Sequence, residues 1–398
     1  MYMNIYLKAI TLAVCLLLLA GCWNSKELDD LGIVVAVGID KTEDDQFLLV
    51  TQVINPSEIA TDAPTTRPPV SIYETTGDSI FEAFRNMTEK SPRKMYLSQL
   101  RVLVIGNRLA EEGILPSLDI FYRDHEFRTA FFVTIAKDTG VKDLLKVLTP
   151  YEKIPANKLM HSMESVQKSL GSSKGIVIDE LIAQILSKGQ NPVLPGLLIE
   201  GDAEIGTAIE NIEKIDAPTQ LRVDHLAVMK EDRVIGWLTP DESKGLNYIT
   251  GDMESTTVSY PCDSEGLVSV EVLRTDSSSK AKFEDRTPSI SIELDLEGNV
   301  GELNCPIDLT KAESIETING DVEKKVKQKM EAAIKAAQED FGSDIFGFGS
   351  LIQRKNPDYW KTVEKDWNSH FKELKVEIQV KAQIRRKGNS TQPITIEE

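Results

Sequence analysis

Leu19-Ala20-Gly21-Cys22 places a cysteine directly after two small residues at the end of an apolar run. That order suits one piece of chemistry. The thiolate takes a diacylglyceryl group, and a peptidase that must fit extended backbone beside small side chains cuts in front of it. Residues 10–20 give eleven mostly apolar positions, against the roughly twenty that a helix needs to cross a bilayer. Lys8 and the amino terminus supply the positive charge that precedes the apolar part of a leader. The pattern predicts a signal peptide over residues 1–21, with Cys15 lost in it, and a mature chain beginning at a lipidated Cys22. The alternatives are an uncleaved anchor or a plain secretory leader with an incidental cysteine. No cofactor is expected beyond the diacylglyceryl group at Cys22, with N-acylation of the same residue, for example by palmitate, as a further modification.

Other catalytic patterns fall short. Gly171-Ser172-Ser173-Lys174-Gly175 matches the spacing of a hydrolase nucleophile elbow, but that elbow needs a strand before the serine and a helix after it. The pattern here predicts a helix before the serine and an apolar stretch after it, so a glycine-rich turn explains the match. His125, His161, His225 and His370 are scattered and share no metal-ligand spacing. Cys262 and Cys305, with no CxxC and no nearby histidine, do not read as a zinc site. In an oxidising exterior they are a candidate disulfide, and the alternative is two buried thiols. No catalytic, cofactor-binding or metal-ligating residue is assigned, and no enzyme activity is expected.

The formal net charge of −18 over 398 residues argues against a nucleic-acid partner, which needs clustered Lys and Arg. It also argues against the body lying flat on anionic lipid, leaving the acyl chains as the anchor.

The elements around these residues fall into three stretches. Over residues 22–200, strands are predicted at residues 33–37 and 47–54 as a hairpin, and at 101–106, 131–136 and 193–199. Helices are expected at about 80–87, 114–121, 141–148, 154–170 and 178–186, so an α/β or α+β unit results. Pro195 marks the last strand as an edge. Residues 201–300 carry short strands at 221–229, 233–238, 255–261, 267–273 and 289–296, with weak helix signals, and read as a sheet-rich middle domain. Residues 301–398 read as helix, helix and strand, the first helix carrying Val322, Val326, Met330, Ala333, Ile334, Ala337 and Phe341. The second carries Tyr359, Trp360, Val363, Trp367 and Phe371, with an alternating strand at 375–383. Between the helices, Asp344 to Gly349 places two phenylalanines among glycines, either packing into the core or facing a partner. The predicted class is α+β, in three sequential domains with mainly antiparallel or mixed sheets and flanking helices.

Two separated motifs resemble a known family. Cys22-Trp23-Asn24-Ser25-Lys26-Glu27-Leu28-Asp29-Asp30-Leu31, then Val35-Ala36-Val37-Gly38-Ile39-Asp40, is similar to the start of the Ger(x)C spore germination lipoproteins. Leu303-Asn304-Cys305 and Asp344-Ile345-Phe346-Gly347-Phe348-Gly349, followed by Pro357 and Trp360, resemble that family's C-terminal signature. The resemblance implies a C subunit of a nutrient germinant receptor, partnered by membrane subunits A and B. It implies attachment at the outer face of the cytoplasmic, spore inner, membrane, and a fold of three α+β domains. Family members are not known as enzymes, and only Cys22 carries over with a role. Direct contact with the nutrient is left open. The rival reading is a substrate-binding lipoprotein of a transporter, which needs two similar lobes around a cleft.

Overall fold

The computed structural model describes Met3, Tyr6 and residues 30–59, 67–262 and 266–385. Within them, thirteen strands form two sheets. The first holds β1 (Leu31–Lys41), β2 (Phe47–Ile54), β3 (Val70–Gly77), β4 (Lys94–Tyr96), β5 (Val102–Ile105), β6 (Phe132–Ala136), β7 (Val193–Glu200), β8 (Gln220–Lys230) and β9 (Arg233–Trp237). Its order is β3-β2-β1-β5-β6-β7-β8-β9, with β4 beside β1. The centre, β1-β5-β6-β7, is parallel, and antiparallel hairpins close both sides. The parallel strands read as unbroken apolar runs because helices cover both faces. Every residue of β5 is buried. Fully buried Gln52 fastens one helical layer: its amide donates to the Leu145 carbonyl at 2.8 Å and its carbonyl accepts from the Ala156 N–H at 3.1 Å.

The second sheet has the order β10 (Thr256–Pro261), β11 (Leu267–Glu284), β12 (Thr287–Leu303), β13 (Lys375–Arg385). β11 and β12 form a long hairpin whose two turn residues, Asp285 and Arg286, both have positive φ, the twist-matched hairpin turn. The helix Ala312–Lys335 covers this sheet, and its apolar stripe of Val322, Val326, Met330 and Ala333 is buried as its spacing predicts. It also closes the edge strand, since the N–H groups of Ala382 and Ile384 donate to Glu323 and Asn319, each at 2.9 Å.

The structure bears out the mixed α+β class and corrects several readings. The divisions expected at 200/201 and 300/301 do not coincide with the sheets. β8 and β9 join the first sheet, whereas β12 runs past residue 300 and pairs with β13. The stretch 201–300 is therefore shared between two sheets, which local pattern does not reveal. β7 is not an edge strand: it pairs with β6 and β8, and Pro195 sits where the β7–β8 register shifts, a position that tolerates a missing N–H. β3 and β4 have no counterpart in the reading. A helix Pro240–Thr250, with a capping box at Thr239 and Glu242, occupies a region of weak helix signal. The aromatic C-terminal helix is two pieces, Pro357–Val363 and Trp367–Lys372, and an unpredicted helix, Phe348–Lys355, precedes them.

The Pro240–Thr250 helix meets Ala312–Lys335 where only glycine fits. A Cβ at Gly245 would run into the Lys329 carbonyl, whereas one at Gly320 meets nothing within 4 Å. Gly245→Ala should therefore lower stability by about 1–3 kcal/mol through overpacking. Gly320→Ala should raise it by roughly 0.5–1 kcal/mol through helix propensity. Urea unfolding midpoints of the two variants check both signs.

Candidate functional site

The predicted chemistry is dispersed in three dimensions. Cys22 and the motif up to Asp29 lie outside the described residues. His125, His161, His225 and His370 face Asp124, Glu152, Asp224 and Asp366 respectively, at 3.0–3.5 Å. Among the described residues no group of three His, Cys, Asp or Glu could hold a metal. The Gly171 loop follows the helix Pro155–Ser169 and is gripped by the buried Asn247 side chain. Its amide donates to the carbonyls of Gly171 at 2.9 Å and Ser173 at 3.2 Å. Ser173 is 1% exposed and its hydroxyl has no hydrogen-bond partner, so no base is in place to activate it.

Cys262 and Cys305 do come together. They follow β10 and β12, with their Cα atoms 6.5 Å apart, inside the span a disulfide bridges. Close by, Gly266 adopts a positive φ of +125° against the Asn304 backbone, and the Cys262 N–H donates to its carbonyl at 3.2 Å.

The second constellation centres on Asp344. The long helix ends in a π turn, Ala336–Phe341, stopped by Gly342 in the left-handed conformation. Asp344 follows, fully buried. One carboxylate oxygen accepts from the N–H groups of Phe346 (3.2 Å), Gly347 (2.9 Å) and Phe348 (3.2 Å). The other accepts from the Gly349 N–H at 2.7 Å and the Trp367 indole at 2.8 Å. The acid thus caps the helix Phe348–Lys355 from three residues before its N-cap, Gly347, where free N–H groups and the helix dipole favour negative charge. Burial pushes its pKa up to about 6, against the pull of the hydrogen bonds from Gly349, Trp367, Phe348 and Phe346.

Each other residue of the signature has a physical task. Gly347 needs a φ of +78°, which glycine adopts without steric cost. Gly349 packs so closely that a Cβ would stand 2.6 Å from the Trp367 indole nitrogen and 2.7 Å from the Gly189 Cα. Phe346 and Phe348 stack with centroids 4.9 Å apart, and Phe371 lies 6.4 and 6.3 Å from them. Both are buried, so the aromatic turn packs into the core rather than facing a partner. The turn then fastens the two halves of the chain. The Asn191 N–H donates to the Asp344 carbonyl at 2.7 Å, and the Ser343 hydroxyl to the Met229 carbonyl at 2.6 Å. The Ser350 N–H reaches the Gly189 carbonyl at 3.2 Å. Asn191 also holds the Glu231 N–H at 2.9 Å and Asn368 at 3.1 Å. Sequence reasoning picked out the turn but missed Asn191, Gly189 and the task of Asp344, since partners about 150 residues away leave no local signal. The turn orients the chain around one buried carboxylate, whose two oxygens accept from five donors.

Known proteins resemble the chain along most of its length. Residues 24–199 match the family described as spore germination protein N-terminal domain, and residues 224–388 the family described as spore germination B3/GerAC like, C-terminal. The chain is 31% identical over 396 residues to spore germination protein KC of Bacillus subtilis (strain 168), covering 98% of this chain and 97% of that protein. Spore germination protein YndF of the same organism is 24% identical, covering 94% and 95%, and spore germination protein B3 is 23% identical, covering 93% and 94%. The crystal structure of the GerBC protein superposes with a TM-score of 0.56 at 17% identity, covering 87% of this chain and 96% of that one. That likeness shows a shared fold.

The raised pKa of Asp344 fixes a sign. A carboxyl whose folded pKa lies above its unfolded value of 3.8 contributes stability that is full below pH 4 and lost as pH rises through about 6. The stability of the wild type relative to Asp344→Asn should therefore fall by up to about 3 kcal/mol between pH 4 and 7. Asn also turns an amide against the Gly349 and Trp367 donors, a pH-independent loss of about 1–3 kcal/mol. Urea unfolding of both proteins across that range measures the two effects separately.

Proposed function

Because this chain belongs to the spore germination family whose N-terminal and C-terminal models it matches in order, we propose that it is the lipid-anchored, non-catalytic C subunit of a nutrient germinant receptor. In this reading it assembles with membrane subunits A and B at the outer face of the spore inner membrane and is required for the response to germinants. The observation that carries the reading is the 31% identity to spore germination protein KC across 98% of the chain. In this reading lipid at Cys22 supplies the anchor; no helix among the described residues is long and apolar enough to cross a membrane. Two acyl chains of a diacylglyceryl group hold far better than one. From Cys22 to Leu31, where β1 begins, extended chain reaches at most about 30 Å. The tether thereby keeps the body at high effective concentration beside its membrane partners.

Cys22→Ala should shift the protein from the membrane to the soluble fraction of spores and abolish most nutrient-triggered germination. Full germination with a soluble variant overturns the anchoring reading.

The reading extends to the Cys262–Cys305 pair, which faces the oxidising side of the membrane and forms a disulfide. A loop closed over a sequence separation of 43 corresponds to about 4 kcal/mol on the chain-entropy model. Alkylation without reductant, followed by mass spectrometry, should find both thiols blocked, and Cys305→Ser should lower the unfolding midpoint accordingly. Two alkylated cysteines in protein taken from spores would rule the bridge out.

A further inference from the structure

The order β10-β11-β12-β13 puts β13 at a margin of the second sheet, with a strand on one flank only. Successive residues of an edge strand alternate in direction, so every second N–H points away from the neighbouring strand. The even-numbered residues of β13 are the outward ones, because the Ala382 and Ile384 N–H groups donate to Glu323 and Asn319. Those two side chains close the edge at its C-terminal end. Val376, Ile378 and Val380 point the same way, and among the described residues nothing accepts from their N–H groups.

Beside that uncapped stretch lies a groove of about 560 Å³ between the strand and the helical layer. Lys327, Ile334, Lys335 and Gln338 line one side of it, and Val376 and Ile378 the other. Ile334 is buried, and Val376 and Ile378 are half-buried, whereas the odd-numbered residues of β13 are exposed. An open, apolar strand edge is a template for a further strand. Its occupant must be extended and carry apolar residues two apart, because only one face of that strand meets the groove.

The chain itself continues with such a segment. Residues 386–398 follow β13, outside the described residues, and include Pro393-Ile394-Thr395-Ile396-Glu397-Glu398. Ile394 and Ile396 have the strand spacing, and Gly388-Asn389 supplies turn chemistry before them. Residues 386–393 reach about 26 Å when extended. The return from Arg385 to Val380 covers only about 17 Å of strand. The connection therefore passes Glu323 and Asn319 without displacing them.

We propose that residues 394–398 lie in this groove as a fifth strand of the second sheet, antiparallel to β13. Ile394 stands opposite Val380, Ile396 opposite Ile378 and Glu398 opposite Val376. That register turns both isoleucines toward Ile334 and sets Glu398 on the side of Lys335. Pro393 falls opposite Lys381, where its backbone points away from β13 and the missing N–H costs no ladder bond. Glu397 comes beside Glu377, whose charge Lys375 already offsets at 2.7 Å. The chain thereby covers its own open edge and bars it to a second copy. This pairing concerns the body of the chain alone, so it stands or falls separately from the receptor reading.

Paired cysteines in the purified full-length chain test the register. Gln379→Cys with Thr395→Cys sets two thiols on a directly opposed, solvent-facing pair, about 4.5–5.5 Å apart at Cα, inside the span of a disulfide. Gln383→Cys with Thr395→Cys is the control, since Gln383 lies about 13 Å further along β13. Under mild oxidation the first pair should close within one chain at least about tenfold faster than the second, as read by mass spectrometry of the bridged peptides. In a second measurement, free of new cysteines, Ile394→Asp/Ile396→Asp should speed amide hydrogen exchange over residues 376–380 at least about tenfold and leave β11 unchanged. Closure of the first pair no faster than the second overturns the proposal. So does a bridge between two chains, which assigns the edge to a second copy, or exchange over 376–380 that the double variant leaves as it was.

Discussion

A buried carboxylate surrounded by donors holds this molecule together. Asp344 follows the end of one helix and caps the next, and its own backbone carbonyl accepts from the Asn191 N–H. Removing five hydrogen-bond donors from water is costly unless each finds an acceptor, and one side chain supplies them all. The indole of Trp367 is one of those donors, which fixes the helix Trp367–Lys372 and, through Phe371, the aromatic packing above it. The return of the chain to β13 thus depends on how a single acid is satisfied.

Three other fastenings reinforce the same geometry. Gly245 lets two helices approach to backbone distance, Cys262 faces Cys305 at the end of the hairpin, and Glu323 with Asn319 closes the edge of the second sheet. A single apolar core cluster runs through residues of both sheets, from Val34 and Leu103 to Val322 and Phe371. The two sheets differ in strand number and pairing, unlike the two similar lobes that a transporter's binding protein closes over its ligand.

Much of the secondary structure was legible because it is local. β5 is an uninterrupted apolar tetrapeptide, and Pro155–Ser169 begins with proline at its first turn, so burial and capping alone identify them. Elements whose stability comes from distant partners were not legible. β4 is three residues long and exists because β1 lies beside it. The helix Pro240–Thr250 carries serine, glycine and asparagine on its buried side, residues that read as a loop until Lys329, Gly171 and Ser173 are brought against them. Proline in β7 pointed to an edge, but a register shift accommodates it in the sheet interior.

The α+β class, the family resemblance and the Asp344 turn are readable in contiguous residues, as is the acyl-anchor pattern expected at Cys22. Only the tertiary structure decided how 201–300 divides between two sheets, that Asn191 and Gly189 receive the turn, and that Ile334, Val376 and Ile378 share one groove. The physical reason is the same in each case. Strand pairing and charge pairing join residues far apart in the chain, and their cost or benefit exists only once the fold has brought them together.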